Sequence, residues 1–416
     1  MSASDNDDTT WPRSGDIAEA AVTLRDIARE TPLIPVDDLS ARTGYRVYVK
    51  AENLQRTGSY KVRGAYVKLM SLNSEARQRG VICASAGNHG QGVALAARLA
   101  GVPATIVLPC DVPLTKLTSV KAQNVRVVLV GNNYDEAYAE ALAIAEREKL
   151  TFVHPFDDWD VIRGQGTVGK EIIAQVPEVA AIVVPVGGGG LLAGISLAVK
   201  AAERSVVLAG VQAQGASAMV TSYQSGVLQS QPAHTVADGI RVRTPGSRPF
   251  AVIRKLVDQM LTVTEEEIYR AVVYLLEHTK LVAEPAGAVA LAAVLNRSLT
   301  VPAGSSVVAI VSGGNVDPNL LTRLIEYGLA HSARYLALRI RMPDRPGQLL
   351  GLLTPLADLR VNVLNIEHRR SAWGLPVDLS EVMLHLETRG AEHRAEIMSA
   401  IQARGYNAEV IWPDST

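Results

Sequence analysis

The chain has 416 residues, of which 48% are hydrophobic and 20% charged, and its 41 basic and 42 acidic residues give a formal net charge of −1. This length predicts two or three domains with a sizeable core, and the charge balance argues against nucleic acid as a partner. Two cysteines argue against a disulfide framework, and no apolar run is long enough to span a bilayer. We therefore expect a cytoplasmic protein without a membrane partner.

The chain opens on a polar, acidic segment, and residues 1–16 are predicted to form a disordered tail without a signal peptide. From residue 17 onward, strand-like runs alternate with helical runs. This alternation predicts parallel α/β sheets covered by helices. The predicted strands cover residues 45–50, 81–84, 104–108, 125–130, 181–186, 206–212 and 306–311.

Lys61 follows the first of these strands, in which Tyr45, Val47 and Val49 share one face. Residues 56–64 mix charge with glycine and serine, as a loop or a helix start does. A lysine amine that is partly desolvated forms Schiff bases with carbonyl groups. The competing interpretation of Lys61 is an ordinary solvated surface lysine.

The stretch after the strand 81–84 offers hydroxyl, amide and backbone N–H donors at the start of a predicted helix. It consists of Ser85, Ala86, Gly87, Asn88 and His89. Such donors suit a substrate carboxylate. A second interpretation, compatible with the first, makes Ser85 or Asn88 the N-cap of the helix. His89 is open to two interpretations, a general base or a structural hydrogen-bonding residue.

Four consecutive glycines separate the strand 181–186 from an apolar helix that opens at Leu191. They are Gly187, Gly188, Gly189 and Gly190. Their backbone N–H groups can turn toward one anion at the positive end of the helix dipole, which predicts a phosphate site. No Gly-Lys-Ser/Thr ending follows, so a nucleotide P-loop is not expected.

Ser312 follows the apolar strand 306–311 and opens the sequence Ser-Gly-Gly-Asn. Its hydroxyl is a neutral partner for a ring nitrogen. A carbonyl-binding lysine, a phosphate cradle and such a hydroxyl together predict a site for pyridoxal 5'-phosphate (PLP).

These motifs resemble those of the fold-type II PLP enzymes and, within them, the serine/threonine dehydratases. The resemblance runs from about residue 17 to the C-terminus. It rests on residues 58–65, 85–89, 187–190, 237–239, 284–285 and 312–315. It implies a catalytic domain over residues 17–330 with two parallel-sheet α/β subdomains, the smaller at about 58–156.

The same resemblance implies the site. Lys61 would form the Schiff base and act as general base, Asn88 would bond the phenolic oxygen of PLP, and Ser312 would face its ring nitrogen. The four glycines would hold the phosphate. The implied reaction eliminates water from L-threonine, and secondarily from L-serine, to give 2-oxobutanoate and ammonia. Ala86 stands where the related serine racemases carry a proton-transferring serine, and residues 214–220 hold no carboxylate. Racemisation and a metal site are therefore not expected.

The C-terminal region, residues 334–416, has a βαββαβ pattern typical of a ferredoxin-like domain. The predicted elements are strands at 335–341, 361–368, 381–386 and 408–412 and helices at 348–358 and 391–403. This region resembles an ACT domain, which implies an amino-acid effector near Asp344, Gly347 and Asn362 and a homodimer or homotetramer. The alternative is a dimerisation domain that binds no ligand.

Two further interpretations of the whole chain remain open. A serine-preferring dehydratase would differ from a threonine enzyme only by room for one methyl group. A regulatory or binding protein with a degenerate PLP site would use chiefly the C-terminal region. Intact Lys61, Asn88, Ser312 and all four glycines argue against that second interpretation.

Overall fold

The computed structural model describes residues 11–202, 205–331, 334–370 and 375–412. The chain divides between Asp317 and Pro318 into two compact units. The first ten residues of the predicted tail lie outside the described residues. The first helix begins at Ser14, so helical structure covers the last three residues of the range 1–16.

The first unit alternates strands and helices along the chain. Its strands are β1 (Leu33–Pro35), β2 (Arg46–Ala51), β3 (Val81–Ala84), β4 (Ala104–Leu108), β5 (Arg126–Leu129), β6 (Thr151–Phe152), β7 (Val179–Pro185), β8 (Val207–Ala213), β9 (Gln259–Val263) and β10 (Ser306–Val311). Its helices are α1 (Ser14–Thr23), α2 (Asp37–Thr43), α3 (Lys61–Ser71), α4 (Ser74–Arg79), α5 (Asn88–Ala100), α6 (Leu114–Lys121), α7 (Tyr134–Glu148), α8 (Trp159–Gln175), α9 (Gly190–Ala201), α10 (Ala218–Ser225), α11 (Ser247–Leu256), α12 (Glu265–Tyr274) and α13 (Pro285–Leu295).

A six-stranded sheet forms the centre of the larger part, in the order β1-β2-β10-β7-β8-β9. All neighbours are parallel except β1, which pairs antiparallel with β2. Every residue of β10 is buried, as expected for a strand covered on both faces. The core on this sheet includes Ile182, Val184, Val308 and Ile310.

A second, four-stranded parallel sheet has the order β5-β4-β3-β6 and lies within residues 81–152. The seven predicted strands of the first unit are confirmed, with ends that differ by at most two residues. The strands β1, β6 and β9 were not predicted. Strands β1 and β6 have three and two residues, which is too short for an alternating pattern to show.

Glycines allow α3 to approach two neighbouring helices closely. A Cβ atom on Gly164 of α8 would lie 2.7 Å from the Cα atom of Gly64, and one on Gly92 of α5 would lie 3.0 Å from the carbonyl carbon of Lys61. Both substitutions would push α3 away, because backbone atoms cannot yield as a side chain does. The small residues thus fix the position of the helix that begins with Lys61.

The second unit begins with a helix, α14, and then has the predicted βαββαβ order. Its elements are α14 (Pro318–His331), β11 (Tyr335–Pro343), α15 (Gln348–Asp358), β12 (Asn362–Arg369), β13 (Leu379–Glu387), α16 (Ala391–Ala403) and β14 (Asn407–Trp412). The antiparallel sheet has the order β12-β13-β11-β14, and its core includes Leu338, Ile340, Leu384 and Ile397. The two predicted helices are confirmed at both ends. Of the helices described in either unit, none is both apolar and long enough to cross a membrane.

Candidate active site

Lys61 is the first residue of α3 and is half-buried. Its Nζ atom donates a hydrogen bond of 2.9 Å to the carbonyl oxygen of Pro155. Burial lowers the pKa of the Lys61 amine to about 8, although the carboxyl group of Glu284 acts in the opposite direction. A substantial fraction of the amine is therefore neutral near physiological pH, which is the form that attacks a carbonyl and accepts a proton.

The four glycines connect β7 to α9, and the last three of them are buried. Gly189 has a φ of 96°, which favours glycine. A Cβ atom on Gly188 would overlap the ring of Phe156. No acceptor on the described residues is bonded to the N–H groups of Gly187, Gly188, Gly189 or Gly190. Buried N–H groups need a partner, so this loop fits a phosphate at the start of α9.

Asn88 lies at the start of α5, directly after the turn that follows β3. The N-cap is Gly87, without any side-chain hydrogen bond, so the prediction that Ser85 or Asn88 caps this helix is wrong. The Asn88 amide instead points to other parts of the site. Its Nδ2 atom donates to Oε1 of Glu284 at 2.5 Å, and its Oδ1 atom accepts from Nδ2 of Asn315 at 2.7 Å.

Ser312 directly follows β10 and is buried. Its carbonyl oxygen accepts a hydrogen bond of 3.3 Å from the N–H group of Tyr60, and Ser59 forms a β-bridge with Gly313. The segment before Lys61 is therefore fastened to the end of β10. The Ser59 hydroxyl is buried without a hydrogen-bond partner among the described residues. We did not predict a role for Ser59, although it belongs to the lysine motif.

His89 is buried, and its Nε2 atom lies 2.8 Å from the carbonyl oxygen of Val153. Burial lowers the pKa of His89 to about 3, with Lys61 acting in the same direction. The ring is therefore neutral and donates its Nε2 hydrogen to this carbonyl. Of the two interpretations of His89, this geometry supports the structural hydrogen bond. The neighbouring residues Ser85, Ala86 and Gly87 are half-buried at the turn.

Glu284 is a site residue to which the sequence had assigned no role. It is the N-cap residue of α13 and is only 4% exposed. Burial raises the pKa of its carboxyl group to about 7, and the nearby carboxylate of Asp238 contributes to this rise. Its Oε1 atom lies so close to Gly313 that a Cβ atom there would overlap it. The sequence feature that could have identified Glu284 is its position directly before Pro285 and a fully apolar helix.

Arg63, two residues after Lys61 on α3, is the centre of a largely buried polar group. We call it the Arg63 cluster, and it consists of Thr31, Lys50, Glu52, Arg63 and Glu171. The Arg63 guanidinium donates to Glu52 at 2.8 and 2.9 Å and to Glu171 at 2.5 and 3.0 Å. Lys50 also donates to Glu171, at 2.6 Å. The cluster joins α3 to β2 and α8 with two cations against two carboxylates.

The structure brings the predicted cofactor residues to one site. Pro155 accepts the bond from Lys61, and the adjacent Phe156 packs against Gly188 and Gly190. On the other side, Glu284 bonds Asn88, and its backbone N–H group donates to the carbonyl oxygen of Gly313, the residue after Ser312. An amine, an anion cradle, an amide and a buried hydroxyl are thus linked by a short series of contacts, a combination that fits PLP.

The predicted effector residues do not come together within the second unit. Asn362 pairs with Glu387, and Glu387 pairs with Tyr335 at the first residue of β11, whereas Asp344 follows the last residue of that strand. Asp344 is nine residue steps from Tyr335, which corresponds to roughly 30 Å along the strand. The Asp344 carboxylate is paired with Arg370 at 2.9 Å, and Gly347, with a φ of 87°, is the N-cap of α15.

Comparison with known proteins identifies the family. Residues 24–313 match the family described as pyridoxal-phosphate dependent enzymes, and residues 337–405 match the ACT domain family. The chain belongs to the pyridoxal-phosphate dependent enzymes. Its cofactor is therefore PLP, and the predicted fold class, a fold-type II catalytic region followed by an ACT domain, is confirmed.

Relatives of this pyridoxal-phosphate dependent enzyme share most of its length. It is 46% identical over 399 residues to the L-threonine ammonia-lyase of Thermotoga maritima, which covers 95% of this chain and 98% of that protein. The processed form of threonine deaminase isoform 2 from Solanum lycopersicum has 37% identity and a TM-score of 0.71, covering 76% of this chain and 94% of that one. Maize serine racemase has 33% identity and a TM-score of 0.72, covering 77% and 98%. Similarity of fold alone therefore does not separate a deaminase from a racemase.

Proposed function

We propose that this enzyme is a threonine ammonia-lyase, which converts L-threonine to 2-oxobutanoate and ammonia and acts secondarily on L-serine. The observation that carries the proposal is the 46% identity to an L-threonine ammonia-lyase over both units of the chain. The similarity to maize serine racemase covers only 77% of the chain.

Lys61 is the general base of the proposed reaction. When bound, PLP supplies an aldehyde that takes up the substrate amine and a ring that acidifies the proton on Cα. The Lys61 amine, with a pKa of about 8, removes that proton. The β-hydroxyl group takes up a proton as it departs and leaves as water, so that this proton balances the one that Lys61 removes from Cα. The remaining enamine hydrolyses to 2-oxobutanoate and ammonia.

The surrounding residues bind and orient. The N–H groups of Gly187 to Gly190 hold the cofactor phosphate, while Asn88 and Ser312 orient the cofactor ring. The turn from Ser85 to His89 binds the substrate carboxylate. Ser312 is uncharged, so it does not enforce a protonated ring nitrogen, and this favours elimination over transamination. Ala86 has no group that could return a proton to Cα, which supports elimination over racemisation.

The ACT domain is proposed to bind an amino-acid effector. The loop between β11 and α15 carries Asp344 and Gly347 and is the candidate site in each copy. Asn362 lies roughly 30 Å away along the sheet of the same copy, so it reaches such an effector only if a second copy supplies it. We accordingly propose that the enzyme forms a homodimer or a homotetramer. We also propose that it lies in the cytoplasm.

A serine-preferring enzyme is the second candidate. One methyl group in an apolar pocket changes the transition-state free energy by about 1–3 kcal/mol. Both hydroxyamino acids are therefore expected to react, and their relative kcat/KM decides between the candidates.

The test is a paired measurement on the purified enzyme. The visible absorbance of the cofactor is recorded first, and 2-oxo acid release from L-threonine and L-serine is then measured with and without isoleucine or valine. We expect 2-oxobutanoate as the preferred product and a change of rate with one of the two added amino acids. A higher kcat/KM for L-serine would replace the proposed substrate, and a rate unaffected by either addition would argue for a dimerisation role of the ACT domain.

Lys61→Ala is the matching variant. It is expected to abolish turnover and the absorbance of the lysine-bound cofactor while leaving the folded state intact, because only the amine is removed. Lys121→Ala, at an exposed lysine of α6, is the control and should behave as the parent enzyme. Normal turnover by the Lys61 variant would overturn the assigned role.

A further inference from the structure

Asn315 determines which end of the Asn88 amide faces the cofactor site. Its Nδ2 atom lies 2.7 Å from the carbonyl oxygen of Thr57 and 2.7 Å from Oδ1 of Asn88. The Thr57 carbonyl can only accept a hydrogen bond, so the atom facing it must be the amide nitrogen of Asn315. This nitrogen has two hydrogens, and the second one requires an acceptor, which is the oxygen of Asn88.

The nitrogen of the Asn88 amide consequently faces Glu284. The two atoms, Nδ2 of Asn88 and Oε1 of Glu284, are 2.5 Å apart. The carboxyl oxygen takes one of the two hydrogens on Nδ2. Among the described residues no acceptor takes the other, which leaves one N–H group of Asn88 available to a bound molecule.

We propose that Glu284 is a positioning residue that, together with Asn315, locks the Asn88 amide so that its second N–H group is presented to the phenolic oxygen of bound PLP. The inference uses the cofactor that the family establishes. It does not depend on which hydroxyamino acid the enzyme consumes.

Close packing prevents Glu284 from turning away. A Cβ atom on Gly313 would overlap Oε1 of Glu284 and lie 3.1 Å from Nδ2 of Asn88, and one on Gly239 would lie 3.5 Å from Oε1. Both glycines therefore leave room for the carboxyl group but for little else. A side chain enclosed in this way holds its partner in one orientation.

The ionisation state of Glu284 determines how strongly it holds the Asn88 amide. The charged and titratable groups around it are Asp238, Lys116, Lys61 and Tyr60. Lys116 is bonded to Asp238 at 2.6 Å, so it only partly offsets the charge of that carboxylate. Burial and Asp238 raise the pKa of Glu284 to about 7. A carboxylate accepts hydrogen bonds more strongly than the protonated acid does, so Asn88 is held most firmly above pH 7.

The experiment uses the holoenzyme without substrate. Visible absorbance and the dissociation constant of PLP are measured between pH 5.5 and 9 for the parent enzyme and Glu284→Gln. For the parent we expect both to change with a midpoint near pH 7, while the variant lacks this midpoint and binds PLP about tenfold more weakly at pH 8. Both proteins retain Lys61, whereas only the parent has a titrating group at position 284, so a midpoint near pH 7 that the variant lacks is assigned to Glu284.

Three further variants complete the test. Asp238→Asn retains Glu284 but removes the neighbouring charge, and should move the midpoint to lower pH. Asn315→Asp replaces the donating nitrogen with an acceptor, and should weaken PLP binding even if the Glu284 variant fails to fold. Glu266→Gln, on the surface of α12, should change neither quantity. An unchanged pH profile and unchanged PLP affinity in folded Glu284→Gln, or in Asn315→Asp, would overturn the proposal.

Discussion

Two glutamates of the catalytic unit are buried to the same extent and have opposite pKa shifts. Glu52 is fully buried and Glu284 is 4% exposed. Burial opposes ionisation at both positions, but the Arg63 guanidinium, bonded at 2.8 and 2.9 Å, holds the pKa of Glu52 below its usual value. Among the described residues, the neutral Asn88 amide is the only side-chain hydrogen-bond partner of the Glu284 carboxyl group, and the pKa of Glu284 rises to about 7. The partner, and not the depth of burial, decides the direction of the shift.

The difference separates a structural region from a functional one. In the Arg63 cluster, two cations balance two carboxylates, and their bonds join α3, β2 and α8. At Glu284 no cation on the described residues bonds the carboxyl group, whose Oε1 atom lies beside Asn88 and Gly313, so its charge is not balanced in this way. A perturbed pKa at such an unbalanced buried group is typical of a functional site. The balanced cluster helps to position the helix that begins with Lys61, whereas the unbalanced carboxyl group is the one that we propose positions Asn88.

Removal of the cation from the balanced region is expected to have the largest effect. Arg63→Met leaves Glu52 and Glu171 without their shared partner, and the free energy of unfolding should fall by about 3–5 kcal/mol at pH 7. Urea denaturation followed by circular dichroism measures this change. The loss should become smaller as the pH falls below 4.5, because a protonated Glu52 carboxyl group no longer needs the cation.

The control for Arg63→Met is a similar pair on the surface. Arg126 contacts both carboxylate oxygens of Glu148 at 2.7 and 3.4 Å, but Arg126 is exposed and Glu148 is only half-buried. Solvent screens this pair, so Arg126→Met should change stability little. If both variants lost the same stability, the burial of the Arg63 cluster would have no energetic consequence, and the comparison with Glu284 would fail.

The unbalanced region should show the opposite pH dependence, with an intermediate effect. The pKa of Glu284 is about 7 in the folded protein against an ordinary value of 4.5. The folded state therefore retains a proton that the unfolded state loses, and stability falls as the pH rises from 4.5 through 7. The shift corresponds to about 3 kcal/mol. Glu284→Gln should remove this decline, so that the cofactor-free variant is more stable than the parent at pH 8.

Unfolding free energies between pH 5 and 8 provide the measurement, with Glu52→Gln as the matched variant. Stability from Glu52 is present above pH 4.5 and is lost as the pH falls through its lowered folded pKa, so Glu52→Gln should be less stable than the parent at pH 8. If Glu284→Gln and Glu52→Gln changed the free energy of unfolding at pH 8 in the same direction, the two carboxyl groups would not differ as described.

Much of the fold was predictable because it depends on local patterns. The strand β10 was predicted at both ends, since Ser306 to Val311 are all buried and a glycine pair follows shortly after. Helices α15 and α16 were predicted because their apolar residues recur at helical spacing. The strands β1 and β6 lack such a signal, since their pairing is decided by neighbours that are distant in sequence.

The residues of the candidate site likewise form two groups, one that local sequence patterns reveal and one that they do not. Lys61, the four glycines and Ser312 lie beside strands or helices whose pattern is visible in the sequence. The environment of Glu284 depends on the approach of Gly239, Gly313 and Asn88, and no local pattern shows that approach. The Arg63 cluster likewise joins residues 31, 50, 52, 63 and 171. A charged residue in the sequence indicates the need for a partner but does not identify that partner.

Removal of one hydroxyl group from the balanced region should produce the smallest effect. The Thr31 hydroxyl is buried and donates to Oε1 of Glu52 at 2.5 Å, and this bond helps to lower the pKa of Glu52. Thr31→Val preserves the shape of the side chain, so the free energy of unfolding should fall by about 1.5 kcal/mol at pH 7. Ser71→Ala is the control, because the Ser71 hydroxyl donates to Asp160 at 2.6 Å in an exposed position where water can replace it. Denaturation at pH 7 and at pH 4 compares the two variants. The difference in unfolding free energy between the two variants should narrow at pH 4, where a Glu52 that lacks one donor is more readily protonated. A loss of stability in Ser71→Ala as large as that in Thr31→Val would show that burial does not set the strength of these bonds.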